Sequence, residues 1–285
     1  MPNDSINRTL SITLDGEPLS FSGRMRLRGK DELSLFPALF TLELWNLPEE
    51  MYLQMSRCKD IAVSHGDACL VSGRVWDVFR HGDKEGTVTS VSISLGLDLW
   101  ESLVSLCVPA GTLLSETVRQ ILDASGTGIP FLSAFSPDPV SSRGQSFFGR
   151  ASECVSEALT CHSERSDDDL SESADSGNRS HAELESLRPM LTPSGLMAVP
   201  ASGLPEAVRI TEADLTDAPA FVGGSLHGMP SLMILSASVA GWRPGQTVDV
   251  EYKNIRARGI VKERSVDADT GDGAWKCELL VEVIT

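Results

Sequence analysis

The sequence has 285 residues, a formal net charge of −16 and a hydrophobic fraction of 41%. This length and composition favour two or three domains with buried cores. The acidic balance argues against non-specific nucleic-acid binding, which depends on Lys and Arg displacing counterions from phosphates, although a conduit through which DNA slides would benefit from repelling it. No apolar run approaches the ~20 residues of a membrane helix, so no membrane insertion is expected.

Targeting and cysteine signals favour a protein made in the cytosol. The first residues have neither the basic region nor the apolar region of a secretory signal, so none is expected. The cysteines have no regular spacing, and several lie on apolar strand faces, which favours reduced and buried thiols. They are Cys58, Cys69, Cys107, Cys154, Cys161 and Cys277.

Alternating apolar and polar residues dominate the predicted first domain, residues 1–108. Asp15-Gly16 stands between two alternating arms and predicts a hairpin. A further strand ends near Trp45-Asn46-Leu47, and Pro48 followed by two acids predicts a short helix after it. The same period of two predicts three later strands, over 60–64, 69–80 and 86–97.

The middle of the chain is predicted to be helical over residues 109–162. Apolar residues at helical spacing predict one helix over 111–124 and another over 150–161. Residues 133–146 are rich in Ser, Pro and Gly and are predicted to be a loop. Residues 163–187 contain many acids and few large apolar residues, so we predict a disordered linker there.

The last domain, residues 188–285, is predicted to be a β-meander. A Pro244-Gly245 turn precedes an alternating strand that ends at Tyr252, and a second strand follows over 257–263. Polar, turn-compatible residues predict a loop over 265–273, and a final alternating strand over 275–284 completes the meander. Three regular antiparallel strands of this kind are typical of a small barrel or sandwich.

Short motifs at both ends of the chain resemble those of phage baseplate hub proteins. At the C-terminal end they are Leu191–Pro200, Trp242-Arg243-Pro244-Gly245 and Thr270-Gly271-Asp272-Gly273-Ala274-Trp275. At the N-terminal end they are Trp45-Asn46-Leu47 and Leu70-Val71-Ser72-Gly73-Arg74-Val75. Each motif is weak alone, and the resemblance depends on their order. The sequence departs from the family where the acidic residues 163–180 replace an expected strand.

The resemblance implies a mainly β fold with a small α insert, made of two small antiparallel β-barrel domains similar to the tail-tube fold. It implies a homotrimer that forms a pseudo-sixfold ring between the tail tube protein and the central spike protein. The expected location is the tail baseplate of a virion assembled in the bacterial host cytoplasm. DNA would be only a passing cargo.

Two clusters of acids or cysteines are candidates for metal sites. Cys154, Cys161 and His162 lack the paired spacing of a structural zinc site. The segment 267–273 with Glu278 approaches the calcium-loop pattern, but Asp272 stands where that pattern requires glycine. We therefore expect no metal and no other cofactor.

The sequence contains no residues in a recognisable catalytic pattern. Ser225 and His227 are close in sequence, but His227 occupies the place of the last glycine in a Gly-x-Ser-x-Gly elbow. The many carboxylates lie in no stretch that resembles a pocket wall. The protein is therefore not expected to be an enzyme, and no catalytic residue is assigned.

Two other functions are kept as alternatives. A non-catalytic cell-wall or glycan-binding β-barrel module would be a monomer with exposed aromatic side chains, whereas Trp45, Trp76 and Trp275 lie in strand patterns that favour core packing. A pair of nucleic-acid-binding barrels would need basic strand faces, and the hairpin 243–265 mixes its bases with acids.

Overall fold

The structure is a computed structural model, which describes residues 8–136, 138–164, 187–204, 206–222, 231–236, 239 and 242–284, with the side chains at 83 and 161–164 left out. The predicted acidic linker (apart from residues 163, 164 and 187) and the Ser225–His227 pair lie outside these residues. Contacts divide the chain into two compact units. Unit 1 contains Met1–Glu32, Pro37–Leu95 and Pro205–Thr285, and unit 2 contains Leu33–Phe36 and Gly96–Leu204.

Strands make up most of the described elements, and all but one of the described α-helices lie in the middle of the chain. Unit 1 begins with β1 (Ser11–Leu14), β2 (Glu17–Leu19), β3 (Met25–Glu32), β4 (Ala38–Trp45), α1 (Glu49–Met55), β5 (Asp60–His65), β6 (Ala68–Asp83) and β7 (Gly86–Leu95). Unit 2 contains α2 (Leu97–Glu101), β8 (Leu103–Val108), α3 (Leu114–Ser125), β9 (Gln145–Arg150), α4 (Ala151–Glu164), β10 (Leu187–Thr192) and β11 (Gly195–Pro200). Unit 1 resumes with β12 (Ala207–Ile210), β13 (Ala220–Val222), β14 (Ser231–Ser236), β15 (Thr247–Tyr252), β16 (Ile255–Asp269) and β17 (Trp275–Ile284).

In the described part of the chain, the strands of unit 1 belong to one 13-stranded sheet. Its main path is β13-β14-β17-β16-β3-β4-β7-β6-β5-β1-β2, with β15 added to β16 and β12 added to β15. The β12–β15 pair is parallel, whereas β15, β16 and β17 form the predicted antiparallel meander. The pairing of β3 with β16, from Glu32 opposite Glu263 to Arg26 opposite Asp269, joins the first and last parts of the chain.

The predicted hairpin at Asp15-Gly16 is confirmed. Both residues have positive φ, 48° and 87°, the backbone that a two-residue turn between twisted strands requires. Leu14 pairs with Glu17 on either side of the turn. The second arm differs from the prediction, because it breaks after β2 and the chain enters the sheet again as β3.

The core of unit 1 lies under the inward face of this sheet. Along β3 and β4 the buried side chains alternate with more exposed ones, and Leu27, Phe40, Leu42 and Leu44 have no exposed surface. Side chains of β14, β15 and β17 enter the same cluster, such as Ile234. The period of two that predicted the strands therefore has its cause in a core shared by both ends of the chain.

The predicted loop over 265–273 is wrong for its first half. β16 extends to Asp269 and pairs with β3 on one edge and with β17 on the other. Val266 and Ala268 point into the core, while Asp267 and Asp269 are paired with arginines. Polar residues that favour a turn in isolation therefore form a strand here, and the turn occupies only 270–274.

Unit 2 is built on the pair α3 and α4. Val118, Ile121 and Leu122 of α3 pack in one cluster with Val155 and Leu159 of α4. The helix α3 ends at Gly126, whose φ of 68° suits a left-handed helix cap. Both predicted helices are confirmed, and β9, which begins at 145, was predicted in part as loop.

The architecture is mainly β with a small α insert, as predicted. Predicted segments 1–108 and 188–285 both supply strands to unit 1, and predicted segment 109–162 lies in unit 2. The three boundaries between the four predicted segments and the closure of each end into a barrel stay predictions. Among the described residues, no helix is long and apolar enough to span a membrane.

Candidate assembly surfaces

The residues weighed as a zinc site do not form one in the described structure. Cys154 lies on the inward side of α4 with 2% of its surface exposed, and burial raises the pKa of its thiol. Cys161 and His162 belong to α4, but their side chains are outside the described set. Within the described residues no group of three or more His, Cys, Asp or Glu side chains is placed to hold a metal ion.

The carboxylates that approach a calcium-loop pattern are engaged by Arg26 of β3 and by Arg24, the residue before that strand. Arg26 donates to both oxygens of Asp267 at 2.9 and 2.8 Å, and Arg24 donates to both oxygens of Asp269 at 3.0 and 2.8 Å. Burial opposes the charge of Asp269, but the bonds from Arg24 and from the Gly271 N–H outweigh it and hold the pKa of that carboxyl below its usual value. These acids therefore fasten β16 to β3.

A buried ion pair also joins β3 to β16. Arg264, on the inward side of β16, donates from Nε and Nη2 to the two oxygens of Asp31 at 2.9 and 2.7 Å. The same guanidinium donates to the carbonyls of Trp242 and Leu70 at 3.1 and 2.8 Å. Arg243 lies close by, and the pKa of its guanidinium is lowered by burial and by the charge of Arg264. The cluster joins β3, β6 and β16.

Sequence reasoning missed this pair, although a signal was present. Asp31 continues the inward series of Met25 and Leu27, and Arg264 continues that of Val266 and Ala268. A charged residue at an inward position of each of two strands indicates a buried partner, because an unpaired buried charge is costly.

The outer face of β12, β15 and β16 carries charged side chains, and we call it the arginine face. It consists of Arg209, Asp249, Glu251, Arg256 and Arg258. The cross-strand register places Arg258 opposite Asp249 and Arg256 opposite Glu251, with Arg209 beside Asp249. With Val250 and Ala257 these residues line an open hollow of about 540 Å³.

Two exposed aromatic side chains lie on β6. Trp76 is 61% exposed and Phe79 is 46% exposed, and the ring of Phe79 lies 5.7 Å from that of His81. The predicted core packing of Trp76 is wrong, because the register with β7 shifts between Val75 and Asp77. A β-bulge of this kind inserts an extra residue and redirects its side chain.

Trp45 and Trp275, the other two tryptophans for which core packing is predicted, differ from Trp76. Trp275 is buried, with 7% of its surface exposed, as predicted, and its ring is edge-on to His65 at 5.1 Å. Trp45 is half-buried, and the guanidinium of Arg24 lies 4.4 Å from the centre of its ring.

Unit 2 contains an apolar hollow of about 560 Å³ beside α4. The rings of Phe36 and Trp100 are 5.3 Å apart on its wall, and Arg150 stacks on Trp100 at 4.1 Å. The buried hydroxyl of Ser152 also lines it and has no hydrogen-bond partner among the described residues. The hollow is a second candidate contact surface.

Comparison with solved structures identifies this architecture. A tail protein from Neisseria meningitidis matches with a TM-score of 0.64 and 12% identity, over 96% of this chain and 95% of that one. The chain has the fold of phage tail proteins. A tail protein of prophage MuSo2 from Shewanella oneidensis gives a TM-score of 0.64 at 9% identity, with 96% of both chains covered.

A third structure of the same tail-protein fold comes from a secretion machine. It is an E. coli component of the type VI secretion system, described as similar to the T4 bacteriophage tail proteins gp27 and gp5. Its TM-score is 0.60 at 11% identity, over 96% of this chain and 77% of that one. No protein-family model and no curated protein matches the sequence. The predicted resemblance to phage tail hubs is confirmed at the level of the fold.

Proposed function

We propose that this protein is a structural baseplate hub of a phage or prophage tail. Three copies would form a pseudo-sixfold ring that joins the tail tube protein to the central spike protein. The observation that supports this most directly is the tail-protein fold along the whole chain, since 96% of it and 95–96% of two tail proteins are matched. The ring would belong to the virion baseplate, after assembly in the bacterial host cytoplasm.

The chemistry of the side chains supports a structural role. The acids weighed as ligands, Asp267 and Asp269, are used in ion pairs that hold the sheet together. A hub acts through the surfaces it presents to its neighbours, so we propose that the protein is not an enzyme and needs no cofactor. The net charge of −16 would repel DNA and let it pass through the ring without adhering.

The mass of the purified protein tests this proposal. Light scattering behind a sizing column should give a species near three times 30.6 kDa, and sedimentation over a concentration series would detect a trimer that dissociates on dilution. A protein that stays monomeric at the highest concentration, or a stable dimer, would contradict the trimeric ring.

A glycan-binding module is the second candidate, and the exposed Trp76 favours it. Exposed aromatic rings offer a surface on which sugar rings stack. Under this alternative, Trp76→Ala should abolish sedimentation of the protein with insoluble cell walls, whereas Phe221→Ala, at a ring that is 59% exposed elsewhere in unit 1, should leave it unchanged. Equal behaviour of the two variants would exclude this use of Trp76.

A further inference from the structure

The arginine face differs in charge from the rest of the molecule. Its three arginines and two acids give it a charge of +1, whereas the whole chain carries −16, so the remainder carries −17. All five side chains lie on the outer side of regular strands, because Asp249 and Glu251 alternate with Val248 and Val250, which are buried. The face is therefore a fixed, net positive region on an acidic protein.

The acids on this face are already used by two of its arginines. Arg209 forms an ion pair with Glu251, and Arg258 lies 3.9 Å from Asp249. Arg256 is exposed, and no hydrogen bond or ion pair joins it to another described residue. A guanidinium with its donors unused is suited to bind a carboxylate through two parallel hydrogen bonds.

We propose that the arginine face contacts a second copy of this chain, a surface carboxylate of which is bound by Arg256. This inference rests on the proposed ring and assigns one side of its subunit contact. The charge complementarity is between the positive face of one copy and the acidic remainder of the next.

The sign of the face also favours one kind of contact. Two arginine faces brought together by a twofold axis would bring their excess positive charges together, whereas an acidic surface of the neighbour would balance that charge. A contact between two different surfaces is head-to-tail, and contacts of this kind close into rings when the rotation permits. The face is therefore compatible with a trimer.

A nucleic acid is a less suitable occupant. Asp249 and Glu251 stand between the arginines and would lie against the phosphates, and the net charge of −16 opposes the approach of a polyanion. A protein surface offers separate carboxylates that can be placed over individual arginines.

The test compares charge reversals in the full-length protein. Arg256→Glu is the primary variant, because Arg256 supports no described ion pair, and Arg256→Gln is made beside it because a glutamate at 256 would stand opposite Glu251. Arg57→Glu is the matched control, since Arg57 is also exposed in unit 1 and the change in net charge is identical. Thermal melting curves recorded by circular dichroism verify that the variants are folded.

The oligomeric state is measured by sedimentation at about 0.1 M and about 1 M NaCl. Between these concentrations the Debye length falls from about 10 Å to about 3 Å, so attractions between charged surfaces are screened. We expect salt to weaken the wild-type trimer, Arg256→Glu to raise its dissociation constant about tenfold or more, and Arg57→Glu to behave as wild type. A trimer unchanged in Arg256→Glu would overturn the assigned contact and leave the proposed hub standing.

Two further outcomes would also overturn it. A wild-type protein that is monomeric under all conditions would remove both the hub and the contact. Binding of a double-stranded DNA oligonucleotide that is lost in Arg256→Glu but kept in Arg57→Glu would assign the face to nucleic acid instead.

Discussion

At the scale of single residues, the buried Arg264–Asp31 pair has the strongest expected effect on stability. Only 2% and 10% of the two side chains are exposed, and Asp31 is the carboxylate that balances Arg264. Asp31→Ala should lower the free energy of unfolding by about 3–5 kcal/mol, because it leaves a buried guanidinium without its counter-charge. Urea denaturation measures the change.

A second ion pair on the same strands provides the control. Arg26 and Asp267 also bridge β3 and β16, but about a quarter of each side chain is exposed, 27% and 23%. Asp267→Ala should therefore lower the free energy of unfolding by less than about 1 kcal/mol. If Asp31→Ala and Asp267→Ala lowered the free energy of unfolding equally, burial would not be what makes the Arg264–Asp31 pair more important for stability.

Cysteine reactivity should follow burial, since a thiol reacts as its thiolate. Cys107 is exposed, contrary to the expectation of buried thiols, whereas burial raises the pKa of Cys277 to about 12. At neutral pH a thiol reagent should label Cys107 before Cys277, which should react only after unfolding. Peptide mass spectrometry after short labelling identifies the sites, and rapid labelling of Cys277 in the folded protein would contradict its placement.

At the scale of elements, the alternation of residues predicted most strands of unit 1, because one face of each is buried. This alternation does not predict the structure correctly where pairing with a distant strand determines whether a segment is a strand or which way a side chain points. Asp267 and Asp269 favour a loop by composition, but Arg26 of β3 and the adjacent Arg24, more than 200 residues away, pair with them in β16. Trp76 was assigned to the core because a period of two cannot reveal the bulge that changes its direction.

The close contact between Gly29 of β3 and Phe40 of β4 can be tested by substitution. It stands opposite Phe40 of β4, and a Cβ added to it would lie 2.2 Å from the ring of Phe40. That ring has no exposed surface and has little freedom to move aside. Gly29→Ala should therefore destabilise the protein by about 1–3 kcal/mol, measured by thermal and urea unfolding.

Gly82→Ala is the control for this substitution. Gly82 lies near the end of β6, and an added Cβ would meet no atom within 4 Å. The free energy of unfolding of Gly82→Ala should change little or rise slightly, because alanine reduces the conformational freedom of the unfolded chain. A loss as large as that of Gly29→Ala would show that the strain comes from the backbone and not from Phe40.

At the scale of the whole molecule, the sequence predicted the fold class and the likeness to tail proteins but not the joining of the chain ends. Hairpins and the meander are local and follow from turn residues and alternation. The β3–β16 pairing connects residues more than 230 positions apart, and no local pattern specifies which distant strands pair. The arginine face was visible as a mixed-charge hairpin, yet its third strand, β12, was not predicted.

This pairing leads to a prediction about fragments. If residues 1–108 formed an independent domain, they should fold alone. In the structure, β3 pairs with β16 along its length, and Leu27 and Phe40 share one core with side chains of β14, β15 and β17. Removal of residues 109–285 would expose that core and leave an unpaired strand edge, so we expect the fragment 1–108 to be unfolded or aggregated.

Circular dichroism and thermal melting of the fragment 1–108 test this expectation, with the full chain as the reference. The fragment should show no cooperative transition, and addition of the fragment 188–285 should restore β-structure if the two parts recombine through β3 and β16. Arg264→Glu in the second fragment should prevent recovery, because it would place a second buried carboxylate against Asp31. A cooperative melt of 1–108 alone would show instead that the N-terminal strands form a domain of their own, as the sequence pattern predicts.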